Sequence, residues 1–166
     1  MKRSLISILL AALLFPIASS AKADVSITAL MSKHKVSWTE AIGAALLADA
    51  LGLDATFVVS TGRRMGVSVY DLAPAIVIHQ HSGRDIAYIW EMNKKKKKGW
   101  GVIAHELGIH PGVFNKNRQW LMSARDDEFM SAIWVHSMHR ATGFPVNTIS
   151  AWRARGLDWP GTVATV

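Results

Sequence analysis

Among the residues that can carry chemistry, the seven histidines come first, and their spacing decides what they can do together. His105-Glu106-Leu107-Gly108-Ile109-His110 has the letters of a zinc-protease helix but not its spacing. That chemistry needs two histidines at i and i+4, one turn apart on one face, with a glutamate between them as general base. Here Gly108 breaks the helix between the two histidines, so His105 and His110 are expected to diverge and are read as polar groups at helix ends. His136 and His139 are one turn apart and can share a ligand face, which makes them, with a third group, the metal candidate. His79 and His81 cannot share one on a regular helix. No nucleophile-and-base pair, phosphate-cradling glycine loop or paired-carboxylate signature stands out. Asp126-Asp127-Glu128 reads as the first turn of a helix rather than as an acid/base pair. A His-based metal-dependent enzyme is therefore a lesser alternative, and the sequence implies no cofactor.

A second set of residues suits nucleic acid. A helix predicted over 111–119 carries Asn115, Lys116, Asn117, Arg118 and Gln119. Asn and Gln can pair adenine edges, Arg can pair guanine, and Lys can reach phosphate. The adjacent run Lys94, Lys95, Lys96, Lys97 and Lys98 adds salt-sensitive phosphate contacts. The simplest reading of that run is a solvated loop between helices; a second is attraction to anionic lipid or polymer at an envelope surface.

Charge and the first residues weigh against a nucleic-acid role. Lys2 and Arg3, the apolar run Leu5 to Phe15, and Ala21-Lys22-Ala23 form the three parts of a cleaved signal peptide over residues 1–23. The apolar run is short for a bilayer span and Pro16 interrupts its end, so no stable membrane span is expected after cleavage. An exported protein does not meet the chromosome. Nineteen lysines and arginines face twelve carboxylates. Three of the nineteen fall in the signal segment and five in the lysine run, which leaves eleven basic residues against twelve acidic ones. Positive charge is local, not spread along a groove. With no cysteine, the exported chain is held by packing alone, which suits a bacterial periplasm better than a disulfide-stapled scaffold.

The elements that must position these residues read as helices throughout 24–166, a length that suits one domain. Asp24 to Lys35 is predicted to be a loose arm. Ser37 and Glu40 form a capping box for a helix over 38–51. Further helices are predicted over 54–64, from Pro74 through Ala75 to His81, from a Ser82 cap through Ile86, Ile89 and Trp90, and from a Ser123 cap to Thr142. One more starts at Pro145 and ends at Gly156, and Leu157 to Val166 is expected to be a turn and a frayed tail. No stretch alternates long enough to compel a strand, so the fold class is all-α. Trp38, Trp90, Trp100, Trp134 and Trp152 are placed in the core, and Trp159, beside Pro160, is expected to be the exposed one.

Gly99 to Arg118 organises the rest. Trp100, Ile103, Ala104 and Leu107 lie on one helical face, Gly108 ends that helix in the left-handed conformation, and Pro111 restarts the chain. The phrase of glycine, apolar residue, four residues, apolar residue recurs at Gly52-Leu53, Gly66-Val67, Gly108-Ile109 and Gly143-Phe144; Gly83-Arg84 keeps only the spacing. Ala75-Ile76-Val77-Ile78-His79 also echoes Ala132-Ile133-Trp134-Val135-His136. The stretches 51–65, 99–118 and 142–156 resemble helix-turn-helix units, and the chain is similar to small exported bacterial helical proteins with such units in tandem. That resemblance implies short helical pairs packed side by side into one domain and brings no activity with it. The function expected is a non-catalytic periplasmic or secreted module that binds or scaffolds an envelope protein or polymer. An exported nucleic-acid-binding protein using the helix 111–119 is the alternative.

Overall fold

Residues 26–165 of a computed structural model are described, and the predicted signal peptide lies outside them. Among the described residues there are ten α-helices, one short 3-10 helix and no strand. They are α1 (Ile27–His34), α2 (Trp38–Leu51), α3 (Ala55–Met65), α4 (Val69–Ser82), α5 (Ile86–Lys94) and α6 (Trp100–Glu106). The 3-10 helix Pro111–Phe114 follows, then α7 (Arg118–Ser123), α8 (Asp126–Thr142), α9 (Val146–Ala154) and α10 (Trp159–Val163). None of these helices is long and apolar enough to cross a membrane.

Glycine bends set the path of the chain. Gly52, Gly66, Gly83, Gly108, Gly143 and Gly156 all have positive φ, a conformation that costs least without a Cβ. In each case the N-cap of the next helix stands two residues later: Asp54, Ser68, Asp85, His110, Pro145 and Asp158. The bends close in two ways. After Gly52, Gly66 and Gly108 an apolar residue returns its N–H to the previous helix, Leu53 to the Ala48 carbonyl, Val67 to Gly62 and Ile109 to Ala104. After Gly83 and Gly143 a histidine closes the bend. His79 Nδ1 lies 2.6 Å from the Arg84 carbonyl and His139 Nδ1 2.8 Å from the Phe144 carbonyl. Because a carbonyl only accepts, Nδ1 carries the proton in both. Ser82 and Thr142 complete the two bends alike, donating to Ile78 and Met138 carbonyls and accepting from Arg84 and Phe144 N–H. Gly143 therefore pairs with Gly83 rather than with Gly52, and the bonds match His79 to His139. The sequence echo of His79 with His136 is one helical turn out of register.

The core is built on α2 and α8. α2 packs on α1, α3, α4, α8 and α10, and α8 on α2, α4, α6, α9 and the 3-10 helix. The buried face of α2 is mostly small, with Ala41, Gly43, Ala44 and Ala48 around Leu47, so neighbouring backbones approach closely. A Cβ on Gly43 would stand 2.8 Å from the Tyr70 hydroxyl, which donates to the Thr39 carbonyl at 2.7 Å. On α8, fully buried Trp134 lies between Tyr70 and Trp159, at ring-centroid distances of 4.9 and 6.4 Å. One turn nearer the N-terminus, Phe129 packs on Phe114 and Trp120. Burial, with the charges of Glu40 and Asp158, holds the Tyr70 phenol well above its usual pKa, so it stays a donor.

Several sequence expectations change in the folded chain. The arm over 24–35 contains helix α1, capped by Ser26 and docked through buried Leu30. Pro74 does not start a helix; it lies inside α4. Proline leaves the carbonyl four residues back without its helical donor, and that carbonyl, of Tyr70, receives the Trp134 indole N–H at 3.5 Å. Ser82 and Ser123 end α4 and α7 instead of capping α5 and α8, because each returns its hydroxyl to its own helix. Residues 157–166 hold α10, where Trp159 is only 8% exposed, whereas Trp38, expected in the core, is 48% exposed at the first position of α2.

Two carboxylates cap helices other than their own. Ser37 Oγ accepts from Glu40 N–H as expected, but the Glu40 carboxylate accepts from Val69 N–H at the start of α4. Asp126 Oδ1 accepts from Trp100 N–H, where Gly99 supplies no capping side chain, and its Oδ2 accepts from Asn93 Nδ2. Asp126→Ala should cost about 1–2 kcal/mol in urea unfolding, the value of a lost cap with an unpaired donor. Asp127→Ala, which loses an exposed pair with Arg125, should cost less than about 0.5 kcal/mol.

Candidate functional site

The residues predicted to read nucleic acid do not share a helix. The 3-10 helix ends at Phe114, Asn115 is left-handed at φ 52°, and Asn117 caps Trp120 N–H at 2.8 Å to start α7 at Arg118. Asparagine favours both conformations, through αL tolerance and side-chain capping, so the predicted helix 111–119 is two short pieces with a corner between them. Lys116 lies over the Trp120 ring at 5.5 Å, and Arg118 Nε donates to His105 Nε2 at 3.1 Å.

The lysine run is a helix end and a turn. Lys94 closes α5, and Lys95 is its C-cap. Lys95 pairs with Glu91 and Lys98 with Glu106. Lys94 and Lys96 lie over the Trp90 and Tyr88 rings at 4.7 and 5.7 Å.

The histidines separate as well. His110 Nδ1 accepts from Gly112 N–H and caps the 3-10 helix, while His105 Nε2 accepts from Arg118 Nε. His139 is committed to the α8–α9 bend, while His136 faces a groove. Among the described residues, no group of three or more His, Cys, Asp or Glu is placed to hold a metal ion.

That groove lies along α8 and the 3-10 helix. It consists of two cavities of about 560 and 540 Å³ that share Phe114, Ala132 and His136. Both volumes are of the size that holds a small ligand or a few residues of a partner chain. The first cavity runs between the C-terminal end of α2, the last turns of α4 and the outer face of α8, with Val77 and Ile133 as its apolar lining and Asp49, His81 and Arg140 at its polar side. The second continues past Trp120 to Lys116, with Asp127 and Glu128 on its rim. Burial lowers the pKa of His81; burial, then Arg140 and His139, lowers that of His136. Both imidazoles are therefore neutral in the groove near pH 7, each with a lone pair to accept and an N–H to give.

These shifts carry a pH dependence. A histidine whose folded pKa is depressed takes up its proton more readily unfolded. Stability is thus unaffected above the ordinary value of 6.5 and falls as pH drops from there through the folded pKa. The urea midpoint should fall between pH 7.5 and pH 5, and His136→Gln with His81→Gln should flatten that fall.

Sequence spacing singled out His136 together with His139 and gave His81 no role, whereas His136 and His81 line one cavity. Their common cavity depends on α4 and α8 lying side by side, for which spacing within one helix holds no signal. No family model, no curated protein and no solved structure matches the chain.

Proposed function

We propose that this chain is an exported, non-catalytic helical module, periplasmic or secreted, that binds a component of the cell envelope in the groove along α8. The observation that carries the reading is the junction of the two cavities at Phe114, Ala132 and His136. It forms one trough with an apolar floor, two neutral imidazoles and charges of both signs at its edges. Such a lining suits a polypeptide segment, which offers apolar side chains and backbone hydrogen bonds together. In this reading α4–α5 and α8–α9 are two copies of one helix-turn-helix-like unit, matched at His79 and His139, and the trough is the seam where the copies and α2 meet. Corners at Asn115 and Asn117 divide the segment 111–119 that a nucleic-acid role would use as one helix, which favours the envelope reading.

Two measurements test the halves separately. Residues 1–23 fused to a reporter active only outside the cytoplasm should give activity; a silent fusion ends the export half. A photo-crosslinking amino acid at Ala132, in cells, should give one discrete adduct that His136→Trp abolishes. The same adduct from exposed Ser60 on α3, or none from position 132, ends the binding half.

A further inference from the structure

A second surface lies outside the trough, at the end of α5, and none of its residues lines either cavity. Five lysines turn there through Lys97, which is left-handed at φ 56° and has no ion pair or ring partner among the described residues. Lys94 lies over Trp90 and Lys96 over Tyr88, so two cations stand against the faces of two aromatic rings. Tyr88 is 46% exposed. Only Lys95 and Lys98 are matched by carboxylates, Glu91 and Glu106, which leaves the corner with a local excess of positive charge. Residues 24–166 outside the run are close to balanced.

The geometry points to this corner as an attachment surface for an anionic phospholipid membrane. Long lysine stems lie along apolar surface while their ammonium groups reach outward. Tyrosine and tryptophan suit the headgroup level, where one end of the ring is apolar and the other wet. A cluster of lysines gains attraction to anionic headgroups that falls off within a Debye length, so a local patch suffices where a groove would need a charged track. The chemistry of the corner favours lipid over nucleic acid. It holds no arginine for bidentate pairing with bases or phosphates, and Lys116 and Arg118 are turned to Trp120 and His105. A bilayer needs only point charges beside interfacial rings.

Co-sedimentation of the mature chain with vesicles tests this. Binding to vesicles of phosphatidylglycerol in phosphatidylcholine should be salt-sensitive and should exceed binding to phosphatidylcholine alone. Lys94, Lys96 and Lys97 are exposed, so K94Q/K96Q/K97Q should melt as the parent does and bind the anionic vesicles about a hundredfold less, at about fivefold per lysine. Should the triple variant melt differently, Lys97→Gln alone should still lose about fivefold. Tyr88→Ser should lose a further salt-independent part, and K33Q/K35Q, elsewhere on the chain, should change binding less than about twofold. Equal binding to both vesicle types, or equal losses from K33Q/K35Q and the triple variant, would overturn the assignment. A DNA oligonucleotide that strips the protein from the vesicles and itself loses binding in the triple variant would reassign the corner to nucleic acid.

Discussion

Gly101→Ala should be a severely damaging substitution despite adding a single methyl group, lowering stability by about 3 kcal/mol or more. Gly101 is buried in α6, and a Cβ there would stand 1.9 Å from the Leu121 carbonyl oxygen and 3.1 Å from its carbon. The obstacle is helix backbone, which has no rotamer to swing away. α7 would have to withdraw, uncovering Leu121, which is fully buried. Alanine's better helix propensity returns only about 1 kcal/mol. A domain stable by about 5–15 kcal/mol loses a large share of its margin, so a much lower urea midpoint or insoluble protein is expected. Gly99→Ala is the control. Its Cβ would meet Asp126 Oδ1 at an ordinary 3.5 Å, and its cost should stay below about 1 kcal/mol. Equal behaviour of the two variants would mean that α6 and α7 do not cross as described.

Trp134→Ala should cost about 3–5 kcal/mol, the range for deleting a large aromatic side chain from a packed core. The indole fills the space between Tyr70 and Trp159 and gives its N–H to the Tyr70 carbonyl. That carbonyl has no helical donor because Pro74 has no N–H. Trp134→Phe keeps an aromatic ring and removes the N–H, so it should cost about 1–2 kcal/mol in hydrogen bonding, besides its smaller volume. A double-mutant cycle isolates the bond. With Pro74→Ala restoring a backbone N–H in α4, Trp134→Phe should become milder by about 1 kcal/mol. Strict additivity of the two changes would show that the Tyr70 carbonyl does not need the indole.

Much of the helical framework was legible because its determinants are local. Ser37, Gly52, Gly66, Gly108 and Gly143 marked helix boundaries, since a cap or a left-handed residue is settled by the few hydrogen bonds beside it. Two of the misses fall where a side chain had two local options and a distant partner chose between them. Pro74 could start a helix or sit within one, and Trp134 made the second possible. Glu40 could close its own capping box or cap α4, and it caps α4. The candidate trough was less legible than the fold. His136 was visible as a histidine one turn from another, but His81 joins it only because α4 and α8 are neighbours.

Taken alone, the residues determined an all-helical chain, the places where it bends and the charge held in one short run. Those properties follow from backbone conformation and composition, which need no knowledge of the rest of the molecule. Tertiary structure decided which face of each helix is covered, that Trp159 is inside and Trp38 outside, and where the trough opens. Each depends on packing between segments far apart in sequence, where the free energy of burial selects one arrangement from many that the local rules allow equally.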